Sequence, residues 1–282
     1  LATQDRIYQW GDKSSKLLYN LCQGRSYSPP IARIMSPDLV EVTSPRDIAD
    51  QFAHYYADLY KEKGGMPETE MRDCLAGIPM RVLSSEDREL LENLISLEEV
   101  EAAVGALPHG KSPGPSGFPC EFFGAHLKYF GGPLLRVYEE AFERGAFLPE
   151  LQRAEIVVLP KAGRPAECCS SYRPISLLNG EIKVLAKVLA ERLRGVISTL
   201  VHPDQAGFMP GRATRHNIRR VYNALALGDR LQGPLALLLV DMVKAFDSVD
   251  WRYLFGLLSR LNFGPNFIRM VGTLYAGPSA VV

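Results

Sequence analysis

The segment Asp241-Met-Val-Lys-Ala-Phe-Asp-Ser-Val-Asp-Trp251 follows directly on the apolar run Leu235-Ala-Leu-Leu-Leu-Val240. A carboxylate carried at the end of such a run is a hard oxygen ligand suited to Mg²⁺, and an aromatic five residues on, Phe246, can wall the same pocket. Asp247 and Asp250 read as caps of the next helix, because Ser-Val-Asp-Trp ahead of Tyr253, Leu254, Leu257 and Leu258 has the chemistry of a helix start. A second candidate is Gly105-Ala-Leu-Pro-His-Gly110-Lys111-Ser112, which has the spacing of a phosphate loop. It defines an alternative reading, a P-loop nucleotide triphosphatase. Its surroundings argue against it. A phosphate loop follows a strand and opens a helix whose amides face the phosphate, whereas here a helix precedes and Pro113 and Pro115, which donate no amide, occupy the first turn.

The elements that would position these groups are legible in part. The run 235–240 has the pattern of a buried central strand delivering Asp241 to a sheet edge. Glu155-Ile-Val-Val-Leu159, stopped by Pro160, predicts another strand, leading into a basic loop with Lys161. Ile175-Ser-Leu-Leu, after Tyr172-Arg173-Pro174, predicts a third. Asn179-Gly180 then turns the chain into a long helix with Ile182, Leu185, Leu189, Leu193 and Val196 or Ile197 on its apolar face. A Pro/Gly-punctuated segment, His202 to Arg212, precedes a basic helix over about 214–227.

Upstream, Leu17, Leu18 and Leu21 suggest one helix face, and Ile31–Ile34 with Leu39–Val42 around Ser36-Pro37-Asp38 predicts a short hairpin. Ser44-Pro45 with Asp47 starts a helix to about residue 60 bearing Ile48, Phe52, Tyr55, Tyr56 and Leu59. Ser85 opens an acidic helix through Leu94, and Ser96 with Glu99 forms a capping box for 97–106. Residues 110–119 hold three prolines and three glycines and must form an irregular loop. Leu134, Leu135, Tyr138, Ala141 and Phe142 mark a helix ended by Gly145.

Composition bounds the function classes. The chain has 282 residues, 46% of them hydrophobic and 23% charged, which sets aside disordered, collagen-like and disulfide-scaffold proteins. The formal charge is zero, yet residues 1–150 carry 15 Lys and Arg against 23 Asp and Glu, and 151–282 carry 17 against 9. The C-terminal half is therefore the one suited to phosphates. Five cysteines, Cys22, Cys74, Cys120, Cys168 and Cys169, lack metal-ligand spacing and read as reduced intracellular thiols. Neither a secretory leader nor a run of the ~18 apolar residues a membrane span needs is present. The start at Leu1 and the end on Ala280-Val281-Val282 suggest a piece of something longer.

Six motifs occur in order: Lys111-Ser-Pro-Gly-Pro-Ser-Gly117, Leu159-Pro-Lys161, Tyr172-Arg-Pro-Ile-Ser-Leu-Leu178, His202-Pro-Asp-Gln-Ala-Gly-Phe208, Pro210-Gly-Arg212 and Asp241-x-x-Lys-Ala-Phe-Asp247. Together they resemble the reverse transcriptase of LINE-type non-LTR retrotransposons, strongly over 100–282. The resemblance implies an α/β (α+β) polymerase right-hand fold, in which residues 1–99 are a mostly helical linker with a short hairpin. Residues 100–282 are then fingers and a partial palm, truncated after motif A.

By the same resemblance Asp241 is the first metal-binding aspartate, with the Met242 carbonyl completing a Mg²⁺ shell. Lys161 and Arg173 grip the triphosphate, a point charge and a planar fork both being apt there. Phe246 stacks under the sugar and excludes a 2′-hydroxyl. Gln205, Gly207, Phe208 and Arg212 contact template, and Lys183, Lys187, Arg219 and Arg220 line a phosphate path. The implied partners are an RNA template, a DNA primer and dNTPs, and the implied location is the nucleus or a cytoplasmic ribonucleoprotein. One departure stands out: the Tyr-x-Asp-Asp pair of such polymerases is absent. With one of three metal carboxylates the chain alone is expected to be inactive, which leaves a non-catalytic RNA-binding remnant as a further alternative. The whole reading expects Asp241 to be displayed by a buried strand, facing residues 161 and 173.

Overall fold

Apolar residues four apart decide how the N-terminal part packs. In a computed structural model describing residues 31–61, 65–231, 236–242 and 244–282, β1 (Ile34–Met35) and β2 (Glu41–Val42) form the expected antiparallel hairpin. The helix face suggested for Leu17, Leu18 and Leu21, and Cys22, lie outside the described residues. Helix α1 (Pro45–Tyr60) starts at Ser44 with proline in its first turn, although the Ser44 side chain accepts no capping bond. Its buried residues Ile48, Phe52 and Tyr56 form one stripe, packed on Ile34, Ile156 and Tyr172. Phe52 meets Tyr172 edge-on at 5.1 Å, and burying such a ring is worth about 2–3 kcal/mol. The hairpin and α1 thus share a core with residues more than a hundred positions downstream.

Helices α2 (Glu68–Gly77), α3 (Ser85–Glu92) and α4 (Leu97–Gly105) follow. The cap of α3 is Ser84, which accepts from the Asp87 amide, one residue before the expected Ser85, and the helix stops at Glu92 rather than Leu94. The capping box of α4 is formed as expected. After the irregular loop 106–119 comes α5 (Cys120–Arg144), ended by Gly145 in left-handed conformation, φ 76°. It begins well before the Leu134 face that announced it.

A single turn α6 (Pro149–Gln152) leads into β3 (Arg153–Pro160), which pairs antiparallel with β4 (Tyr172–Leu177) and parallel with β5 (Ser279–Val281) in the order β4-β3-β5. Between β4 and β5 lie α7 (Gly180–Leu200), α8 (Thr214–Leu231), α9 (Trp251–Arg260) and α10 (Pro265–Tyr275). The main core joins Val100 and Val104 of α4, Phe123 and Tyr138 of α5, Leu185 and Val188 of α7, and Phe267 and Met270 of α10. The architecture is thus mixed helix and sheet, an α/β (α+β) fold as expected.

One expected element is corrected. Of the predicted strand 235–240, residue 235 lies outside the described residues, and 236–240 adopt no strand. Leu238 and Leu239 are 85% and 83% exposed. The physical reason is that a strand exists through its ladder, and β-propensity alone does not hold one without a neighbour to pair with. None of the three strands in the sheet pairs with this run. Among the described residues no helix is long and apolar enough to cross a membrane.

Candidate functional site

The β3–β4 hairpin brings two of the expected triphosphate ligands to one end of the sheet. Arg173 sits opposite Leu159 in the antiparallel register, and Lys161 follows Pro160, whose partner is Tyr172. The two cations are therefore hairpin neighbours although they lie twelve positions apart in sequence. Arg173 is exposed. Lys161 is half-buried, its amide donating to Ser171 O at 2.8 Å and its Nζ to Ser170 O at 2.7 Å. The ammonium folds back over the 3₁₀ turn 169–171, which leaves Arg173 as the more available of the two.

The segment 202–212 is organised around Arg212. Its guanidinium donates to the carbonyls of His202 at 2.6 Å and Gln205 at 2.9 Å, and to those of Val201 and Ser198 at the end of α7. A planar five-donor fork is what gathering several carbonyls requires, and lysine would not reproduce it. Arg212 thus shapes the loop from within. The Gln205 Nε2 donates to Gly207 O at 3.3 Å, and Phe208, at φ 58°, is turned outward and 93% exposed. Of the expected template contacts, Phe208 is the most fully presented.

Phe246 lies beside that loop. Asp241 and Met242 are exposed, and Phe246, 82% exposed, meets Phe208 edge-to-face with centroids 5.7 Å apart. The aromatics expected at the sugar and at the template, 38 positions apart in sequence, are thus adjacent. On the other side of the turn, closed by Asp247 N donating to Lys244 O at 3.0 Å, the side chains of Lys244 and Asp247 are half-buried. Lys244 Nζ donates to Tyr55 Oη at 2.8 Å, and Tyr60 Oη donates to Asp247 at 3.3 Å. Burial and the neighbouring Asp247 carboxylate push the Tyr60 hydroxyl up to about 12. Asp250 caps α9, accepting from the Arg252 amide at 2.8 Å. The charge-assisted bonds from Arg252 hold its carboxyl below the usual carboxylate range. Of the two aspartates read as caps, Asp250 serves as one, while Asp247 instead binds a tyrosine of α1.

Asp241 forms no ion pair with Lys161 or Arg173 among the described residues, and no group of three His, Cys, Asp or Glu side chains is placed to hold a metal there. As an oxygen donor Asp241 fits Mg²⁺. As a set, one side-chain carboxylate and the Met242 carbonyl fall short of the six oxygen ligands such an ion takes.

The phosphate-loop match behaves as its context implied. Helix α4 ends at Gly105, and the Gly110 amide donates to Glu121 Oε1 at 2.5 Å, a bond that holds this carboxyl below its usual range. The Ser116 amide is likewise taken, by Asn179 Oδ1 at 2.9 Å. No helix starts until Cys120. Three of the expected phosphate-path cations are also engaged: Lys183 with Ser112 O, Lys187 with Glu191, and Arg220 with Asp204.

From sequence Asn179 is part of a turn, and the structure gives it a larger task. It is 1% exposed, and besides accepting from Ser116 it donates to the carbonyls of Glu150 and Leu151 at 3.1 and 2.9 Å. It thereby ties the 110–119 loop and α6 to the start of α7. The available signal was an asparagine at a helix N-cap position after an apolar strand; its partners lie 63 and about 28 positions away.

Residues 159–277 match the family described as reverse transcriptase (RNA-dependent DNA polymerase). The chain is similar to the Transposon TX1 uncharacterized 149 kDa protein of Xenopus laevis, 33% identical over 271 residues, 96% of this chain and 20% of that protein. It is 31% identical over 170 residues to the probable RNA-directed DNA polymerase from transposon BS of Drosophila melanogaster, 59% of this chain and 18% of that one. A third relative is the RNA-directed DNA polymerase from mobile element jockey of Drosophila melanogaster, 26% identical over 158 residues, 55% and 17% of the two chains. The chain spans about a fifth of the length of these curated relatives. The resemblance carried by the six motifs is therefore to the reverse transcriptases of non-LTR retrotransposons.

Proposed function

From the premise that residues 159–277 carry the reverse transcriptase family pattern, we propose that this chain supplies the fingers and the first carboxylate-bearing palm segment of a retrotransposon's RNA-directed DNA polymerase. Residues 1–99 act as the linker and 100–282 as fingers and partial palm. In this reading Arg173 and Lys161 bind the triphosphate of the incoming dNTP, Phe246 stacks on its sugar, and Phe208 with Gln205 and Gly207 borders the template. Arg212 keeps its place in the site by shaping the loop that presents Phe208. The RNA template, the DNA primer and a nuclear or ribonucleoprotein location belong to the same proposal.

Mg²⁺ supplies the activation of the primer hydroxyl and the charge neutralisation of pyrophosphate in such enzymes. Asp241 and the Met242 carbonyl would give it two oxygen ligands. The chain lacks a Tyr-x-Asp-Asp pair, so by itself it does not hold the ions and does not polymerise DNA. The observation that carries the reading is the contact of Phe208 with Phe246, since the two segments assigned to template and nucleotide on separate motifs meet there.

Primer extension on an RNA template tests it in a longer chain that includes the Tyr-x-Asp-Asp hairpin. Asp241→Ala is expected to abolish product and Phe246→Ala to admit ribonucleotides. Full activity of the first variant, or unchanged sugar selectivity of the second, refutes the corresponding assignment. Product from the 282-residue chain alone refutes its inactivity. RNA binding by a longer chain that never extends a primer would favour the non-catalytic alternative.

A further inference from the structure

The turn that carries Phe246 is gripped from two sides. Phe246 itself faces Phe208. From the other side, the i and i+3 residues of the turn, Lys244 and Asp247, reach two tyrosines of α1, 189 and 187 positions away in sequence. Lys244 Nζ donates to Tyr55 Oη at 2.8 Å and lies 5.0 Å from the Tyr55 ring centroid, so the ammonium has both a hydrogen bond and an aromatic face. Tyr60 Oη donates to Asp247 Oδ1 at 3.3 Å. Tyr55 and Tyr60 are five residues apart on a helix, about 1.4 turns along it and roughly 140° around it, so their hydroxyls reach the turn from two different directions. Lys244 also holds a left-handed backbone, φ 51°, which a lysine keeps where its surroundings specify it.

Helix α1 is itself anchored to the fingers, because Ile48, Phe52 and Tyr56 pack on Ile156 of β3 and Tyr172 of β4. The residues flanking Tyr172 are those of the triphosphate hairpin. A continuous packed path therefore runs from the hairpin bearing Lys161 and Arg173, through α1, to the turn beside Asp241. The stretch 236–242 just before this turn is exposed and outside any strand. Its position relative to the fingers is therefore set from the turn side.

We propose that Tyr55 and Tyr60 are positioning residues: through Lys244 and Asp247 they dock the Asp241–Asp247 segment onto the fingers by way of the linker helix, and so set where Asp241 and Phe246 stand. For the consequence at Asp241 and Phe246 this rests on the polymerase reading; the docking itself does not.

The test uses the 282-residue chain. Limited trypsin digestion followed by mass spectrometry gives the rate of cleavage after Lys244, and mild acetylation gives the reactivity of its amine. Tyr55→Phe with Tyr60→Phe removes both hydroxyls while keeping both rings, and is expected to raise cleavage after Lys244 by about 5- to 25-fold, a factor of up to about five for each of the two hydrogen bonds lost. Cleavage after Arg144 stays constant. Tyr55→Ala, which also removes the aromatic face, gives a larger rise. Tyr222→Phe, at an exposed tyrosine of α8, gives none. Wild-type rates of both reactions in the double variant, with an unchanged circular dichroism spectrum, overturn the docking.

In a longer chain that extends primers, the double variant is expected to lower kcat severalfold with a changed discrimination between dNTP and rNTP. Unchanged values for both, alongside raised cleavage, overturn the positioning role. A silent Asp241→Ala in that chain overturns the polymerase reading instead and leaves the digestion result standing.

Discussion

Arg192 on α7 offers the sharpest quantitative prediction. Its guanidinium gives Nε and one terminal nitrogen to the two oxygens of Glu99, at 2.6 and 2.7 Å, and the remaining donors to the carbonyls of Leu91, Asn93 and Leu94 at 3.2, 2.7 and 2.9 Å. One side chain thus closes the C-terminal end of α3 and clamps the start of α4 to α7. The Arg192 side chain is 8% exposed and that of Glu99 33%. Removing one member of a fully buried pair costs about 3–5 kcal/mol. Because Glu99 retains access to water and still accepts from the Ser96 amide, Arg192→Met should cost about 2–3 kcal/mol.

With a urea slope of about 2–3 kcal/mol/M, that loss moves the unfolding midpoint down by roughly 1 M. A change below about 0.2 M at unchanged slope would refute the clamp. The pair also has a pH signature. Burial pushes the Glu99 carboxyl up, but the Arg192 hydrogen bonds, the Ser96 amide and the Arg192 charge together outweigh it and leave Glu99 below its usual range. A lowered folded value means the contribution is present above the unfolded value of about 4.3 and is lost as pH falls through the folded one. The loss of stability on acidification below about pH 4.5 should therefore be shallower in Arg192→Met than in the wild type. Equal slopes would show that Glu99 titrates independently of Arg192.

Two further outcomes concern the 110–119 loop. A Cβ at Gly114 would overlap the carbonyl of Leu178 and stand 2.6 Å from the Asn179 amide nitrogen, whereas one at Gly117 meets nothing within 4 Å. Gly114→Ala should therefore displace the loop and lower Tm by several degrees, while Gly117→Ala, limited to the strain of φ 77°, costs about 1 kcal/mol. The reverse order in thermal melts would place the loop elsewhere. Asn179→Asp keeps the acceptor for Ser116 but loses both donors to Glu150 and Leu151, and should destabilise by about 2–4 kcal/mol. A loss of unfolding free energy below about 1 kcal/mol in urea titrations would speak against this anchor.

Several features were legible because their signals act within one or two turns of chain. The capping box of Ser96 and Glu99 and the Asp250 cap each satisfy a backbone group a few positions away, and Pro45 at the start of α1 and Gly145 at the end of α5 suit the local backbone angles of those positions. The apolar stripe of Ile182, Leu185 and Leu189 is equally local, and the six ordered motifs carry the resemblance to reverse transcriptases without coordinates. The two strands that carry Lys161 and Arg173 were legible as apolar β-branched runs, whereas their antiparallel pairing, with the second strand starting at Tyr172, came from the structure.

The remainder depends on partners far away in sequence. The run before Asp241 has strand composition but no strand, because a ladder needs a neighbour that composition does not name. Glu92, at the end of α3, accepts from the amides of Asn266 and Phe267 and so caps α10 from about 175 positions away. Such a bond is energetically like the Ser96 cap, yet no spacing announces it. Arg212 reads as a cation for template and is consumed by four carbonyls. Lys244 reads as a motif residue and is held by Tyr55. Sequence alone determined which groups this protein has for binding phosphate, sugar and metal, and which short elements carry them. Tertiary structure decided which of those groups stay free to act, because every charge and amide seeks its partner in space, and the chain's long-range packing selects it.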